Sequence, residues 1–299
     1  MPPIRTNNIL PIRRPTKTFP DREDELEDTI TTTYCLCDEF LKAAAHHDDP
    51  QSRLSTAEVM TVALTACAFF GGNIDRSRLF LHQHGYMPAM ISKSRLNRRL
   101  HAIPSSRWEA LFGILAAVFK EGNDSGEYVV DSFPVPVCDN IRIRRCRLYE
   151  GEEFRGYIAS KKRYFYGLRV HMVVSAHGGE PVEFFLEAGS KNDNAAFKGF
   201  ELDLPEGSTV YADKQYNDYH YEDLLQEAAS IRMRSLRKKN SKRPFAPFVE
   251  YIQQLMRKRI ETSFGQIGAL MPKKIHAVTA PGFELKIVCF VLAFAIQVL

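Results

Sequence analysis

The sequence predicts an α/β protein with a small all-helical N-terminal domain and a larger domain in which helices flank a mixed β-sheet. Residues 54–120 carry apolar side chains at helical spacing, whereas short strand-like runs alternate with helical segments from about residue 126. A chain of 299 residues is long enough for both domains. We therefore expect a flexible basic arm at 1–20, a helical domain at 21–120 and the sheet domain at 121–299.

Start and stop signals define the first helices. The acidic run at 21–28 suits the positive N-terminal end of a helix dipole. Ser55, with Glu58 three positions later, forms a capping-box pattern, and the glycines at 71–72 would end that helix. Another helix is predicted at about 76–84.

A third helix of this region is predicted to begin near Ser92 or Ser94. It carries four cations and an amide: Lys93, Arg95, Asn97, Arg98 and Arg99. This composition is consistent with the recognition helix of a helix-turn-helix DNA-binding unit. An ordinary solvated basic face is the alternative, because charge alone does not separate base reading from phosphate contact.

Strand and helix signals alternate in the second domain. Strands are predicted at 127–130, 166–175, 181–187, 208–213 and 231–236, and helices at 193–201, 218–229 and 245–270. The resulting order, β-β-β-α-β-α-β-α, is that of an RNase H-like domain.

The composition is ordinary for a globular protein, with 44% hydrophobic and 25% charged residues. No apolar core of a secretory signal is present near the N-terminus. The most apolar segment, 287–299, is short for a membrane span and is predicted to be a buried terminal helix. The six Cys residues match no zinc-site spacing, so reduced thiols are expected.

Three carboxylates are candidates for both metal ligands and catalytic residues. Asp131 and Asp213 end apolar strand-like runs, and Glu261 lies in a late basic helix. Such hard oxygen ligands suit Mg²⁺ or Mn²⁺, and a pair of these ions can drive in-line attack on a phosphodiester. Asp193, more simply a helix N-cap, and Asp139, in a polar loop, are alternative ligands nearby.

Further basic and aromatic residues are candidates for DNA contact: Arg142, Arg144, Arg145, Arg155, Tyr157, Lys161, Lys162, Arg237, Lys238, Lys239 and Arg257. Cations of this kind could neutralise DNA phosphates, with binding that weakens steeply as salt rises. Surface charge that only aids solubility is the alternative. Tyr157 could stack on an unpaired base or belong to a local hydrophobic cluster.

Several motifs together resemble a known family. They are residues 130–136 (VDSFPVP), 155–157 (RGY) with 160–162 (SKK), 211–216 (YADKQY) and 257–264 (RKRIETSF), preceded by 54–59 (LSTAEV) and 94–99 (SRLNRR). In this order they resemble the DDE transposases of bacterial insertion sequences, most closely the insertion-sequence 982 group. The resemblance covers roughly residues 50–299.

The resemblance implies a transposase that binds the inverted-repeat ends of an insertion sequence, cleaves there and transfers the 3′ ends to target DNA. Asp131, Asp213 and Glu261 would be its catalytic triad, with two Mg²⁺ or Mn²⁺ ions. The helical domain would bind double-stranded DNA or mediate dimerisation, and a homodimer in the bacterial cytoplasm, near the nucleoid and away from membranes, is expected. The alternatives are a nuclease without strand transfer and a non-catalytic DNA-binding protein derived from a transposase.

Overall fold

The structure is a computed structural model that describes residues 19–139, 145–158, 162–200 and 202–299. The arm predicted at 1–20 lies outside the described residues except for its last two, which belong to the first helix. The described part combines a helical N-terminal region with a mixed sheet flanked by helices, which confirms the predicted fold class.

The N-terminal region contains α1 (Phe19–Ala43), α2 (Thr56–Phe69), α3 (Ile74–Gln83), α4 (Lys93–Ala102) and α5 (Ser105–Glu121). The capping box predicted for α2 is confirmed. The Ser55 hydroxyl accepts from the backbone N–H of Glu58, whose carboxylate accepts from the backbone N–H of Ser55. The sequence does not single out α5, because the continuous helical pattern of 54–120 does not show where each helix ends.

The sheet contains β1 (Glu127–Asp139), β2 (Arg155–Ile158), β3 (Arg163–Ser175), β4 (Pro181–Ala188), β5 (Thr209–Ala212) and β6 (Arg232–Ser235). β1 lies between β3, which is antiparallel to it, and β5, which is parallel, and β6 continues parallel to β5. β2 and β4 pair with successive parts of β3. The short strand β2 is an addition that the sequence does not predict.

Three helices alternate with or follow the later strands: α6 (Asp193–Lys198), α7 (Tyr219–Ala229) and α8 (Pro247–Leu270). α8 packs against β1 and β5, the two parallel strands at the centre of the sheet. This contact brings α8 to the ends of the strands that carry the predicted aspartates.

β1 is longer than predicted, because its pairing with β3 continues well past Asp131. The parallel ladder with β5 ends at Val130 and Ala212, so the rest of β1 is paired on one side only. Proline lacks the N–H that a central strand position requires, and it is tolerated along such an unpaired side. Pro134 and Pro136 therefore fit in this strand, although they end the apolar pattern that predicts it.

A close approach of β1 and β3 depends on one glycine. The register of the two strands shifts between Pro136 and Cys138, where Gly167 lies opposite. A Cβ atom on Gly167 would lie 2.3 Å from the carbonyl oxygen of Val135. A residue with a side chain would therefore force this irregular part of the ladder apart.

The last helix, α9 (Ala280–Gln297), packs on α1, α2, α5 and α8. By length and composition it could cross a membrane, as could α2 and α3 taken as one span with a 109° bend. The sequence argument that the apolar segment is too short is therefore wrong, because the helix begins before residue 287 and has 18 residues. Yet 61% of α9 is buried within the protein, which is typical of a core helix and agrees with the predicted buried terminal helix.

Candidate active site

Strand pairing brings Asp131 and Asp213 to the same edge of the sheet. Val130 of β1 and Ala212 of β5 are partners in the parallel ladder, and each aspartate is the next residue. Because the two strands run in the same direction, the aspartates that follow these paired residues lie side by side. Backbone contacts fix both carboxylates: Asp131 accepts from the N–H of Ser132 at 2.8 Å, and Asp213 from that of Lys214 at 2.7 Å.

Arg257 of α8 lies between the two carboxylates. Its Nη2 is 3.4 Å from Oδ2 of Asp131, and its Nη1 is 3.4 Å from Oδ1 of Asp213. Burial raises the pKa of Asp131, and the charge of Asp213 acts in the same direction, while the Ser132 N–H and Arg257 oppose them. The two acids therefore face one point, and a cation there stabilises their ionised forms.

Glu261 lies one helical turn after Arg257 and is exposed on α8. Within the described residues, no three His, Cys, Asp or Glu side chains are close enough together to hold a metal ion. The structure therefore brings together Asp131 and Asp213 but not a three-acid group, and the role of Glu261 stays a prediction. The converging carboxylate oxygens of the two aspartates are still the kind of ligand that Mg²⁺ or Mn²⁺ takes.

A cluster of hydrogen-bonded side chains, formed by Ser132, Asp193 and Arg169, lies behind Asp131. The hydroxyl of the next residue, Ser132, donates to Asp193 Oδ1 at 2.9 Å and accepts from Nη1 of Arg169 at 3.2 Å. That guanidinium nitrogen is also 3.7 Å from Asp193 Oδ1. These contacts hold the part of β1 that follows Asp131, and Asp193 adds negative charge near the Asp131 carboxylate.

The sequence interpretation of Asp193 as an N-cap is wrong. The capping side chain of α6 is that of Asn192, which accepts from the N–H of Asn194. Asp193 is freed to point at Ser132 instead. Only the fold could show this contact, because the two residues are distant in the chain. The other expected helix start is confirmed, since Asp218 caps α7.

His171 of β3 is fully buried. Burial lowers its pKa to about 4, so the ring is neutral near pH 7. The ring stacks on Phe185 with centroids 4.6 Å apart, and its Nδ1 is 3.4 Å from the hydroxyl of Tyr216. Its Nε2 is 3.9 Å from Asp193 Oδ1. His171 thus supports the group behind Asp131 and does not face the two aspartates directly.

On one side of α4, Arg95, Arg98 and Arg99 line a groove of about 400 Å³ together with Arg53. Arg99 is held within the protein, because it pairs with Asp48 at 3.0 Å and donates to the backbone carbonyl of Leu54. Arg53, Arg95 and Arg98 are exposed. The sequence does not single out Arg53, since it lies in the loop before α2 and outside any basic run.

On another side of α4, Lys93 and Asn97 line a cavity of about 490 Å³ shared with the start of α9. Lys93 lies 3.6 Å from Asp75. The predicted DNA-contact residues of α4 therefore do not form one surface. The helix separates the Arg53 groove from this cavity.

Part of the basic region before β3 lies outside the described residues: Arg142, Arg144 and Lys161. Of the other predicted contacts there, Arg145, Arg155, Tyr157 and Lys162 are exposed. The rings of Tyr157 and Tyr164 are 4.9 Å apart, and the guanidinium of Arg155 lies 4.7 Å from the Tyr164 ring. This small exposed aromatic and basic surface is compatible with either interpretation of Tyr157.

The three predicted DNA contacts after β6, Arg237, Lys238 and Lys239, have different surroundings in the structure. Arg237 makes a two-point ion pair with Glu222, with nitrogen–oxygen distances of 2.6 and 2.7 Å. Its guanidinium also lies 4.5 Å from the ring of Phe245. Lys238 and Lys239 are exposed. Of these three predicted contacts, Arg237 is therefore held inside the protein, whereas Lys238 and Lys239 present their charge to solvent.

Comparison with known proteins places the chain in a family. Residues 121–276 match the family described as the transposase DDE domain. This region is more than half of the chain and contains all three predicted acids, and the chain belongs to this family. Proteins of the family generally use divalent metal ions.

No curated protein matches the chain. Among solved structures, it is similar to a chain from the "cryo-EM structure of piggyBac transposase synaptic complex with hairpin DNA", with a TM-score of 0.46 and 9% sequence identity. The match covers 91% of this chain and 72% of that chain.

Proposed function

We propose that this protein is the transposase of a bacterial insertion sequence, of the insertion-sequence 982 group, and that it cuts DNA at the ends of the element and joins the 3′ ends to a target. Membership of the transposase DDE domain family supports this proposal. The observation that carries it is the convergence of Asp131 and Asp213 at the end of two parallel strands.

In this proposal Asp131 and Asp213 hold the divalent ions, and Glu261 completes the ligand set from α8. When bound, the ions activate the attacking water or 3′ hydroxyl and stabilise the leaving oxygen. The protein's part is to fix the two carboxylates through the sheet and the N–H groups of Ser132 and Lys214. Such prior positioning reduces the reorganisation that the reaction needs.

DNA would be held by exposed cations on both parts of the protein. They are Arg53, Arg95 and Arg98 beside α4, Arg145, Arg155 and Lys162 before β3, and Lys238 and Lys239 after β6. Their charge supports phosphate contact, with affinity that falls as salt rises. A homodimer that pairs two element ends in the bacterial cytoplasm is part of the same proposal.

Cleavage of a labelled duplex that carries the element's own end tests the proposal. We expect nicking at the end with Mg²⁺ or Mn²⁺, and a loss on the order of 10³-fold or more in Asp213→Asn, because a metal-holding carboxylate is removed. Asp124→Asn, which changes an exposed acid in the turn before β1, is the matched control and should cut normally.

Other outcomes separate the alternatives. Cleavage without joining to a target duplex would favour a plain nuclease. End binding without cleavage in any variant would favour the non-catalytic DNA-binding protein. Cleavage that survives Asp213→Asn would show that the metal site is assigned to the wrong residues. Inverted repeats and short target duplications around the gene would independently support a mobile element.

A further inference from the structure

The guanidinium of Arg257 lies between the carboxylates that the proposed function assigns to divalent ions. Its two terminal nitrogens are each 3.4 Å from an oxygen, one of Asp131 and one of Asp213. The three side chains are largely removed from solvent, with exposed fractions of 20%, 23% and 22%. Two carboxylates this close repel each other unless a cation lies between them, and Arg257 supplies that cation.

Within the described residues, the polar contacts of the Arg257 side chain are those with the two acids. Its third nitrogen, Nε, is buried and has no hydrogen-bond partner among the described residues. Within the part of the chain that the structure describes, the terminal nitrogens make no polar contact shorter than the two at 3.4 Å. The guanidinium is therefore attached to the site by moderate ion pairs rather than by a network, and a stronger cation could replace it without breaking other bonds.

We propose that Arg257 is a built-in counterion that competes with the divalent ion for Asp131 and Asp213. The inference rests on the proposed function in one respect, namely that these two acids form the metal site. A Mg²⁺ ion bound by both carboxylates would need their oxygens at about 2.0–2.1 Å, which would leave no room for the guanidinium between them. Metal binding would then release Arg257 from the acids.

The competition has a consequence for the ligand set. Arg257 and Glu261 are one turn apart on α8, so they project from the same side of the helix. While Arg257 bridges the acids, no third carboxylate is grouped with them in the described structure. Release of Arg257 would open the space beside α8 that Glu261 needs to approach, and it would free the guanidinium for a DNA phosphate. The predicted DNA contact of Arg257 would therefore depend on metal binding.

A Mn²⁺ titration of the full-length protein tests this competition directly. Binding is measured by calorimetry and by the electron paramagnetic resonance signal of free Mn²⁺. We expect Arg257→Gln to bind Mn²⁺ about tenfold more tightly than the wild type, because a competitor has been removed. Lys258→Gln is the matched control. It removes the same charge from the neighbouring exposed position and should change the affinity much less.

A thermal unfolding measurement gives a second readout. In EDTA, Arg257→Gln should unfold at a lower temperature than the wild type, since two adjacent carboxylates have lost their counterion. Saturating Mn²⁺ should raise its unfolding temperature by more than it raises that of the wild type. Equal or weaker Mn²⁺ binding by Arg257→Gln would overturn the proposal and leave Arg257 as a residue that positions the acids for the metal.

Asp131→Asn separates this inference from the proposed function. If Asp131→Asn abolishes Mn²⁺ binding while Arg257→Gln does not tighten it, the site is correct and only the competition fails. If Asp131→Asn and Asp213→Asn both bind Mn²⁺ like the wild type, the metal site of the proposed function fails as well.

Discussion

Arg237 and Lys238 are neighbours in the same basic run, but the structure gives them different surroundings. Side-chain exposure is 5% for Arg237 and 8% for its partner Glu222, so this ion pair is buried. Lys238 is exposed. In sequence the two cations have the same appearance, and only their environment separates a buried, paired residue from one whose charge faces solvent.

We predict opposite effects for alanine at these two positions. Arg237→Ala leaves the Glu222 carboxylate buried without its partner, so it should reduce the free energy of unfolding by about 3 kcal/mol. Lys238→Ala should leave stability unchanged, weaken DNA binding and lower the salt dependence of binding by about one charge. Urea unfolding and DNA titrations over a range of salt concentrations measure both effects.

The double variant with Glu222 checks the buried pair. Replacing Arg237 and Glu222 together by Leu and Met should be less destabilising than Arg237→Ala, because no unpaired charge remains. If Arg237→Ala proved as stable as the wild type and bound DNA poorly, our interpretation of Arg237 as a structural residue would be wrong.

At the scale of the element, α4 shows how one helix can carry residues with different tasks. Its spacing places Leu96 and Leu100 in the core, while arginines at other positions face the groove beside Arg53. Arg99 joins α4 to the chain before α2 through Asp48 and the Leu54 carbonyl. A helix that packs with one face and is proposed to bind DNA with another needs this division.

Arg98 and Arg99 form a matched pair for testing that division. Arg98→Ala should weaken DNA binding with little change in stability, because Arg98 is exposed. Arg99→Ala should reduce the free energy of unfolding by about 1 kcal/mol, because it removes a partly exposed ion pair and a hydrogen bond. The measurements are DNA affinity and urea unfolding on the same preparations.

The Asp48–Arg99 connection also predicts a pH dependence. Partial burial raises the pKa of Asp48, but hydrogen bonds from Thr56 and the charge of Arg99 outweigh it and hold the pKa below its ordinary value. The stabilisation is therefore present above the ordinary carboxyl pKa of about 3.9 and is lost as the pH falls through the lowered pKa of the folded protein. Asp48→Asn should make stability less dependent on pH in this acidic range. An unchanged dependence would show that other carboxylates dominate it.

At the scale of the whole molecule, α9 joins the helical region to the sheet region. It contacts α1, α2 and α5 on one side and α8 and β4 on the other. One apolar core runs through both regions and includes Phe290 of α9. The sequence boundary at 120–121 marks a change of secondary structure, and its status as a domain boundary stays a prediction.

We predict that the two regions unfold together. Phe290 is fully buried, and Phe290→Ala should reduce stability by about 3–5 kcal/mol. The fluorescence of Trp108, the single Trp of the chain, reports on α5, while far-UV circular dichroism reports on all elements. Both signals should change at the same denaturant concentration in the wild type and in the variant. Separate transitions would indicate two independent domains.

Periodicity and end signals in the sequence determined the helices and most of the strands, because those patterns reflect local backbone geometry and burial. The capping box of Ser55 and Glu58 is a local contact and is found as predicted, and Asp218, where the predicted helix 218–229 begins, caps α7. The motifs of the chain also indicated a DDE transposase, and the match of residues 121–276 to the transposase DDE domain family confirms that part of the resemblance. β2 and the extension of β1 through Pro134 were not predictable in this way, since they depend on which strand edges are paired.

Tertiary structure alone decided the surroundings of the candidate site. The sequence identified Asp131 and Asp213 by their positions after apolar runs, but parallel pairing of β1 with β5 makes them neighbours. It could not show that Arg257 bridges them or that Asp193 turns towards Ser132, because these contacts join distant parts of the chain. A sequence records which charges exist. The packing of α8 on the sheet and the contact of Asp193 in α6 with Ser132 of β1 determine which charges meet and which face solvent.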